Sequence, residues 1–199
     1  MAGQDDSSAF EGGLERDFYT LLDFDGSIAD VDHQPVRIGY VLPDGRATHY
    51  TPDTLITYHP EFEKRPLLCE VKMRDDLAEN WKDYRPRFKA AIHRARLEGW
   101  RFKIFTDREI RTPYLDNVKL LREYRFIAVD ELKRMRLLKP LSSKPEASLQ
   151  ELMDTACPVV QERGPWLALM WHLLAVGGLR ADLSQALSYS TRVSLPRTV

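Results

Sequence analysis

Three consecutive stretches between Leu67 and Asp107 restrict the fold more than anything else in the chain. "LLCEVKM" and "RFKIFTD" are hydrophobic runs of strand length. Between them, "RPRFKAAIHRARLEGW" places Phe88, Ala91, Ile92 and Ala95 on one side of a helix that ends near Gly99. A strand, a helix and a strand of this length form a right-handed crossover within one sheet. The neighbouring segments extend that sheet. "FEGGLERDFYTLLDFD" reads as a first helix, with Leu14, Phe18, Leu21 and Leu22 at helical spacing and Gly12–Gly13 as a loose start. "VRIGYVLPDGRATHYTPDTLITY" reads as strand, turn, strand and a further strand, with hairpin turn chemistry in "PDG". "TPYLDNVKLLREYRF" is expected to be helical from Pro113. The expectation is an α/β domain over residues 1–129 with a mixed sheet flanked by helices.

The rest differs in composition. "DELKRMRLLKPLSSKPEAS" is charged, then rich in Ser and Pro, and reads as a connector. "SLQELMDTACP" and "GPWLALMWHLLAVGGL" are helical patterns, the second with an apolar stripe of Trp166, Leu169, Met170, Leu173 and Leu174. "RADLSQALSYSTRVSLP" reads as a short helix and an extended tail. Residues 130–199 are thus expected to be a connector plus a small helical unit.

Hydrophobic residues make up 43% of the chain and charged residues 30%, enough for a real core and unlike a disordered chain. No apolar run approaches the roughly 18 residues of a membrane span. The polar, acidic N-terminus is not a secretory signal, so a reducing cytoplasm is expected. Cys69 and Cys157 have no metal-ligand spacing, and Cys69 reads as a buried thiol. A net charge of −1 argues against coating nucleic acid by bulk charge. The charge is uneven, however. From Arg85 to Arg111 run Arg85, Arg87, Lys89, Arg94, Arg96, Arg101, Lys103, Arg108 and Arg111, against Glu98, Asp107 and Glu109.

The chemistry concentrates around "YTPD" and "CEVK". Strand alternation puts Glu70 and Lys72 on one face, with Cys69, Val71 and Met73 on the other. Pro52 forces extended backbone before it and removes a ladder donor, so Asp53 stands at a sheet end or bulge, where it can lie across from Glu70. Two converging carboxylates do not both stay ionised cheaply without a cation between them. Hard oxygen ligands in such a place suit Mg²⁺ or Mn²⁺, completed by water and substrate phosphate. A neighbouring lysine can orient or deprotonate the attacking water, or neutralise charge on the phosphate. Glu15, at the border of the first helix's apolar stripe, is a third candidate acid. A cross-strand Glu–Lys pair on a half-exposed sheet and a solvated helix charge would give the same pattern.

"YTPDTLITY…LLCEVK" resembles the PD-(D/E)xK nucleases, with their restriction-endonuclease-like fold. The fuller set, "LERDFYTLLDFD", "HQPVRIGY", "CEVKMRDDLAENW", "FKAAIHRARLEGWRFKIFTDREIR" and "LDNVKLLREYRF", resembles the TnsA endonuclease subunit of heteromeric cut-and-paste transposases. The likeness runs from about Leu14 to Phe126. It implies a bacterial Mg²⁺-dependent DNA endonuclease, with Mn²⁺ able to substitute and one or two ions bound. That enzyme cuts the 5′ ends of a transposon beside a TnsB-like DDE transposase. A TnsC-like AAA+ ATPase would bind the C-terminal region, which the resemblance makes winged-helix-like. Matched to the motifs, Glu15, Asp53 and Glu70 are the metal-binding acids, Lys72 is the catalytic lysine, and Val71 offers its backbone carbonyl to the metal. A stand-alone repair or restriction nuclease and a non-catalytic adaptor between transposase and ATPase are the alternatives.

The basic helix fits a DNA-binding role. Arg87, Lys89, Arg94 and Arg96 lie off its apolar stripe, where they can track phosphates or simply be solvated. His49, His59 and His93 share no ligand spacing, and Gln34 in "QP" is a weak candidate for the site. The tail region carries only a slight basic excess, so a protein partner is expected for it.

Overall fold

A computed structural model of the chain describes residues 4–196, with side chains from residue 12 onward. It divides into two units, one ending at Arg111 and the other beginning at Thr112.

In the first unit, α1 (Gln4–Phe24) precedes β1 (Ile28–His33), β2 (Ile38–Val41), β3 (Ala47–Tyr50), β4 (Thr54–Tyr58) and β5 (Leu67–Lys72). Then come α2 (Arg74–Glu79), α3 (Trp81–Leu97), β6 (Arg101–Thr106) and the short α4 (Asp107–Ile110). The sheet has the order β1-β4-β5-β6, with β5 and β6 parallel and the other pairs antiparallel. It is the mixed sheet expected from the strand–helix–strand succession. β2 and β3 form a separate hairpin.

Each sheet face has its own core. Leu67, Cys69 and Val71 of β5 pack with Leu14 and Phe18 of α1. Leu68, one residue out of phase, packs with Phe88, Ala91 and Ala95 of α3 and with Ile38 and Tyr50 of the hairpin. β5 is buried on both faces, which is why it reads as a continuous apolar run interrupted only by Glu70 and Lys72. The hairpin turn carries Gly45 at φ 86°, with Gly45 N–H on the Leu42 carbonyl at 2.9 Å. α3 ends in a Schellman motif. Gly99 sits at φ 73°, Trp100 N–H reaches Ala95 O at 2.7 Å, and Gly99 N–H reaches Arg96 O at 3.2 Å.

Several expectations are corrected. β1 is a strand that the sequence pattern does not announce. It lies at the sheet edge with Ala29, Asp30, Asp32 and His33 exposed, so it lacks an apolar signature. α1 continues through Gly12–Gly13 back to Gln4. α3 starts earlier than "RPRF" and runs through Pro86, which lacks the N–H that would bond Lys82. Ile92 is 38% exposed and lies off the buried stripe of Phe88, Ala91 and Ala95.

The second unit holds α5 (Pro113–Arg122), α6 (Glu131–Leu138), β7 (Ala147–Ser148), α7 (Leu149–Ala156), α8 (Gly164–Ala175) and β8 (Arg192–Val193). α5 falls in this unit, ahead of the boundary expected near residue 130; it buries Leu115, Val118 and Leu121 and packs with α8. Leu169, Met170, Leu173 and Leu174 of α8 are buried, as the stripe predicts, while Trp166 is half-buried. Ser148 caps α7 in a reciprocal capping box with Glu151. "RADLSQALSYS" forms no helix; its backbone is held by Asn117, whose side chain meets Leu183 O, Gln185 O and Leu187 N. Among the described residues, no helix is long and apolar enough to cross a membrane.

Candidate active site

The "TPD" corner positions the site. Tyr50 ends the hairpin, Pro52 is buried and cannot donate to a ladder, and the chain crosses into the main sheet to begin β4 at Thr54. Thr54 pairs with Cys69 in antiparallel register, so Asp53 comes to lie beside Glu70 across the strands. Val71 N–H donates to Asp53 Oδ2 at 2.7 Å. The aspartate is thereby anchored to the backbone of the residue between Glu70 and Lys72.

Glu70 is 3% exposed. Tyr50 Oη donates to its Oε2 at 2.5 Å, and Arg87 Nη2 stands 3.6 Å from its Oε1. Burial, followed by the negative charge of Asp53, pushes the Glu70 carboxyl up to about 7 against the lowering effects of the Tyr50 hydrogen bond, Lys72 and Arg87. Burial and the adjacent Glu70 also raise the Tyr50 phenol, keeping it a hydrogen-bond donor. Lys72 is half-buried at the end of β5, on the Glu70 face, and its charge acts on both Glu70 and Tyr84. The Cys69 thiol, fully buried on the other face, is pushed up to about 12 chiefly by burial, which makes it an inert core group.

Glu15 approaches differently. It is half-buried on α1, which covers the Cys69 and Val71 face of the sheet, opposite to Glu70. One turn later, the Tyr19 hydroxyl is 2.7 Å from Thr54 Oγ1, next to Asp53. Burial raises the Tyr19 phenol, and the charges of Asp53 and Glu15 add to that rise. Glu15 therefore borders the same sheet end from the other side. Among the described residues, no three His, Cys, Asp or Glu side chains converge closely enough to hold a metal ion. The structure unites Asp53, Glu70 and Lys72, and leaves Glu15 beside them.

The donor set still fits a hard divalent cation in kind. It is made of oxygen, and Asp53 and Glu70 are close enough that one raises the proton affinity of the other. A cation between them would relieve that repulsion.

Arg87, expected to face DNA, is drawn inward to Glu70 and lies 4.0 Å from the centre of the Tyr84 ring. The Tyr84 and Arg87 spacing of three residues on a helix is the sequence signal for that contact; nothing in the sequence joins Arg87 to Tyr50. Lys89, Arg94 and Arg96 are exposed, and Arg94 pairs with Glu98 at 2.6 Å. Gln34 is exposed at φ 52°, and its N–H donates to the Asp53 carbonyl at 2.9 Å. It therefore adjoins the site through backbone.

Residues 25–107 match the family model described as TnsA-like endonuclease N terminal. The match spans the whole four-stranded sheet, the hairpin, α3, Asp53, Glu70 and Lys72. Glu15 and the second unit lie outside it. No curated protein matches the chain. Over those residues the chain is similar to TnsA-like endonucleases.

Proposed function

We propose, from the similarity of residues 25–107 to TnsA-like endonucleases, that the chain is the Mg²⁺-dependent nuclease subunit of a cut-and-paste transposase. It hydrolyses phosphodiesters at the 5′ ends of the transposon, beside a separate TnsB-like DDE transposase subunit. One observation carries the reading: Asp53 is tied to the backbone of Val71, between Glu70 and Lys72, at the end of a mixed sheet. The sheet and its flanking helices are of the restriction-endonuclease-like kind.

Asp53 and Glu70 would hold the cation, with the Val71 carbonyl and Glu15 as further ligands. The chemistry such an ion would supply there is polarisation of the scissile phosphate and a water made nucleophilic at neutral pH. Lys72 places a positive Nζ beside that water and the phosphate, where it orients the nucleophile and offsets developing charge. Lys89, Arg94 and Arg96 on α3 supply phosphate contacts that position the duplex without reading its sequence. The second unit is the surface for a TnsC-like AAA+ ATPase, on a winged-helix-like frame.

Calorimetric titration with Mn²⁺ tests the site directly, because a subunit that needs partners can be silent in a cleavage assay. The wild-type protein, alone or with a transposon-end duplex, should bind Mn²⁺, and Asp53→Ala should not. Equal binding by both proteins, or none by wild type even with DNA present, would overturn the assignment. Cleavage by the isolated wild type at full rate would favour a stand-alone nuclease over a transposase subunit.

A further inference from the structure

Glu70 is gripped from behind by a chain of side chains that the nuclease chemistry above does not use. Its Oε2 accepts from Tyr50 Oη at 2.5 Å, and its Oε1 faces Arg87 Nη2 at 3.6 Å. Arg87 is itself confined. Its guanidinium carbon lies 4.0 Å from the Tyr84 ring centre and 5.3 Å from the centres of the Tyr50 and Phe88 rings. Arg87 Nε is buried without a hydrogen-bond partner, so the side chain is placed by stacking and by Glu70 more than by its own hydrogen bonds. The next link is equally fixed. Tyr84 Oη donates to both carboxylate oxygens of Asp76, at 3.0 and 2.8 Å, and Asp76 Oδ1 also accepts from Asn80 at 2.7 Å.

A glutamate has three rotatable side-chain bonds, and a carboxylate used for coordination must lose that freedom. Hydrogen-bond partners behind a ligand remove it beforehand and fix which lone pairs face the ion. Tyr50 stands three residues before Asp53, on the same corner of chain, so one turn of backbone delivers both the aspartate and the hydroxyl that aims its partner.

We propose that Tyr50 and Arg87 are positioning residues that hold the Glu70 carboxylate toward Asp53 for a divalent cation. The inference rests on the nuclease reading of Asp53 and Glu70. It makes the hairpin and α3 part of the site's supporting frame, where the reading above gives α3 only a role in holding DNA. Arg87 thereby leaves the set of phosphate-tracking residues.

The test is a double-mutant cycle on Mn²⁺ affinity, measured by calorimetry on the full chain. Tyr50→Phe removes only the hydroxyl and should weaken binding about 10-fold or more, the usual cost of losing a partner behind a ligand. In a Glu70→Ala background the same substitution should change nothing further, because its effect passes through Glu70. Arg87→Met keeps most of the stacking volume and removes a positive charge. Charge alone would tighten binding of a cation, so weaker binding reads the loss of aim. Thermal unfolding of each variant checks that it is folded. Tyr50→Phe binding like wild type, or a loss undiminished in the Glu70→Ala background, would overturn the role of Tyr50. Tighter binding by Arg87→Met would overturn that of Arg87. In each of those cases wild type still binds and Asp53→Ala does not, leaving the nuclease reading standing; absence of binding by wild type removes both.

Discussion

The amide of Val71 donates a 2.7 Å hydrogen bond to the side chain of Asp53, so the candidate metal-binding aspartate also closes the end of the β4–β5 ladder. Two functions in one carboxylate can be separated by substitution. Asp53→Asn keeps an acceptor for Val71 while discarding the charge. It should unfold within a few degrees of wild type but, on the proposed nuclease reading, lose Mn²⁺ binding and at least roughly 10³-fold in DNA cleavage, as expected when an ion-binding charge is removed. Asp53→Ala should lose the same activity and also stability, by about 1–3 kcal/mol, because the Val71 N–H is orphaned. Urea unfolding of the two variants, side by side, reads the difference. Equal stabilities would mean that the hydrogen bond contributes little.

The exposed cations of α3 should act through phosphates. Lys89→Ala and Arg96→Ala should each weaken duplex binding regardless of sequence. Each should also make the plot of log K against log salt shallower by about 0.9 for every phosphate no longer neutralised. Arg94→Ala should have a smaller effect, because Arg94 is already engaged with Glu98 at 2.6 Å. Salt-dependent binding isotherms on a transposon-end duplex check this. Unchanged slopes for both Lys89→Ala and Arg96→Ala would place the DNA on another face.

Much of this frame is legible in the sequence because its signals are local. The buried run of β5, the alternation that puts Glu70 and Lys72 on one face, the crossover to β6 and the "PDG" turn all need only a few adjacent residues. What escapes is decided at a distance. β1 is polar because only one edge of it is paired, so its strand character comes from β4 and not from its own composition. The basic residues of α3 look alike on a helical projection. Arg87 differs from Lys89 only because Tyr50 and Glu70, from two strands, come to lie beside it. The residue type and helix of Glu15 are legible in the sequence, but not that it reaches the sheet end from the Cys69 and Val71 face, opposite to Glu70. The end of the first unit is placed too late by sequence, since the amphipathic pattern of α5 does not say which core it serves.

Asn117 should be the most sensitive polar residue of the second unit. It is 4% exposed, its Nδ2 donates to Leu183 O at 2.9 Å and Gln185 O at 2.7 Å, and its Oδ1 accepts from Leu187 N–H at 3.1 Å. No helix or sheet ladder satisfies those three backbone groups, so this stretch between Leu183 and Leu187 leans on one side chain. Asn117→Ala should cost about 2–4 kcal/mol, from the removal of three hydrogen bonds and the buried groups left unpaired. Proteolysis within residues 180–191 should accelerate in parallel. Denaturant unfolding with a protease time course checks both, and a stable variant with unchanged cleavage at that segment would remove Asn117 from this role.

Glu151 gives a pH signature to the same unit. Its carboxyl is held down at about 2, first by Lys144, at 2.9 Å, then by the Ser148 N–H of the capping box, with Arg192 at 3.6 Å adding to it. The unfolded chain restores an ordinary glutamate near 4.3. The depressed value means that the folded state releases this proton more readily, so the stabilisation is fully present above the unfolded value and is lost as pH falls toward the folded one. Glu151→Gln keeps an oxygen acceptor for Ser148 but not the charge. It should melt below wild type at pH 7, and the gap should narrow progressively from about pH 4.5 downward as the wild-type carboxylate takes up its proton. Added salt at neutral pH should narrow it as well, because all these groups are at the surface. Thermal unfolding of both proteins across that pH range reads the effect, and a gap that stays constant down to about pH 2 would assign it to packing and not to charge.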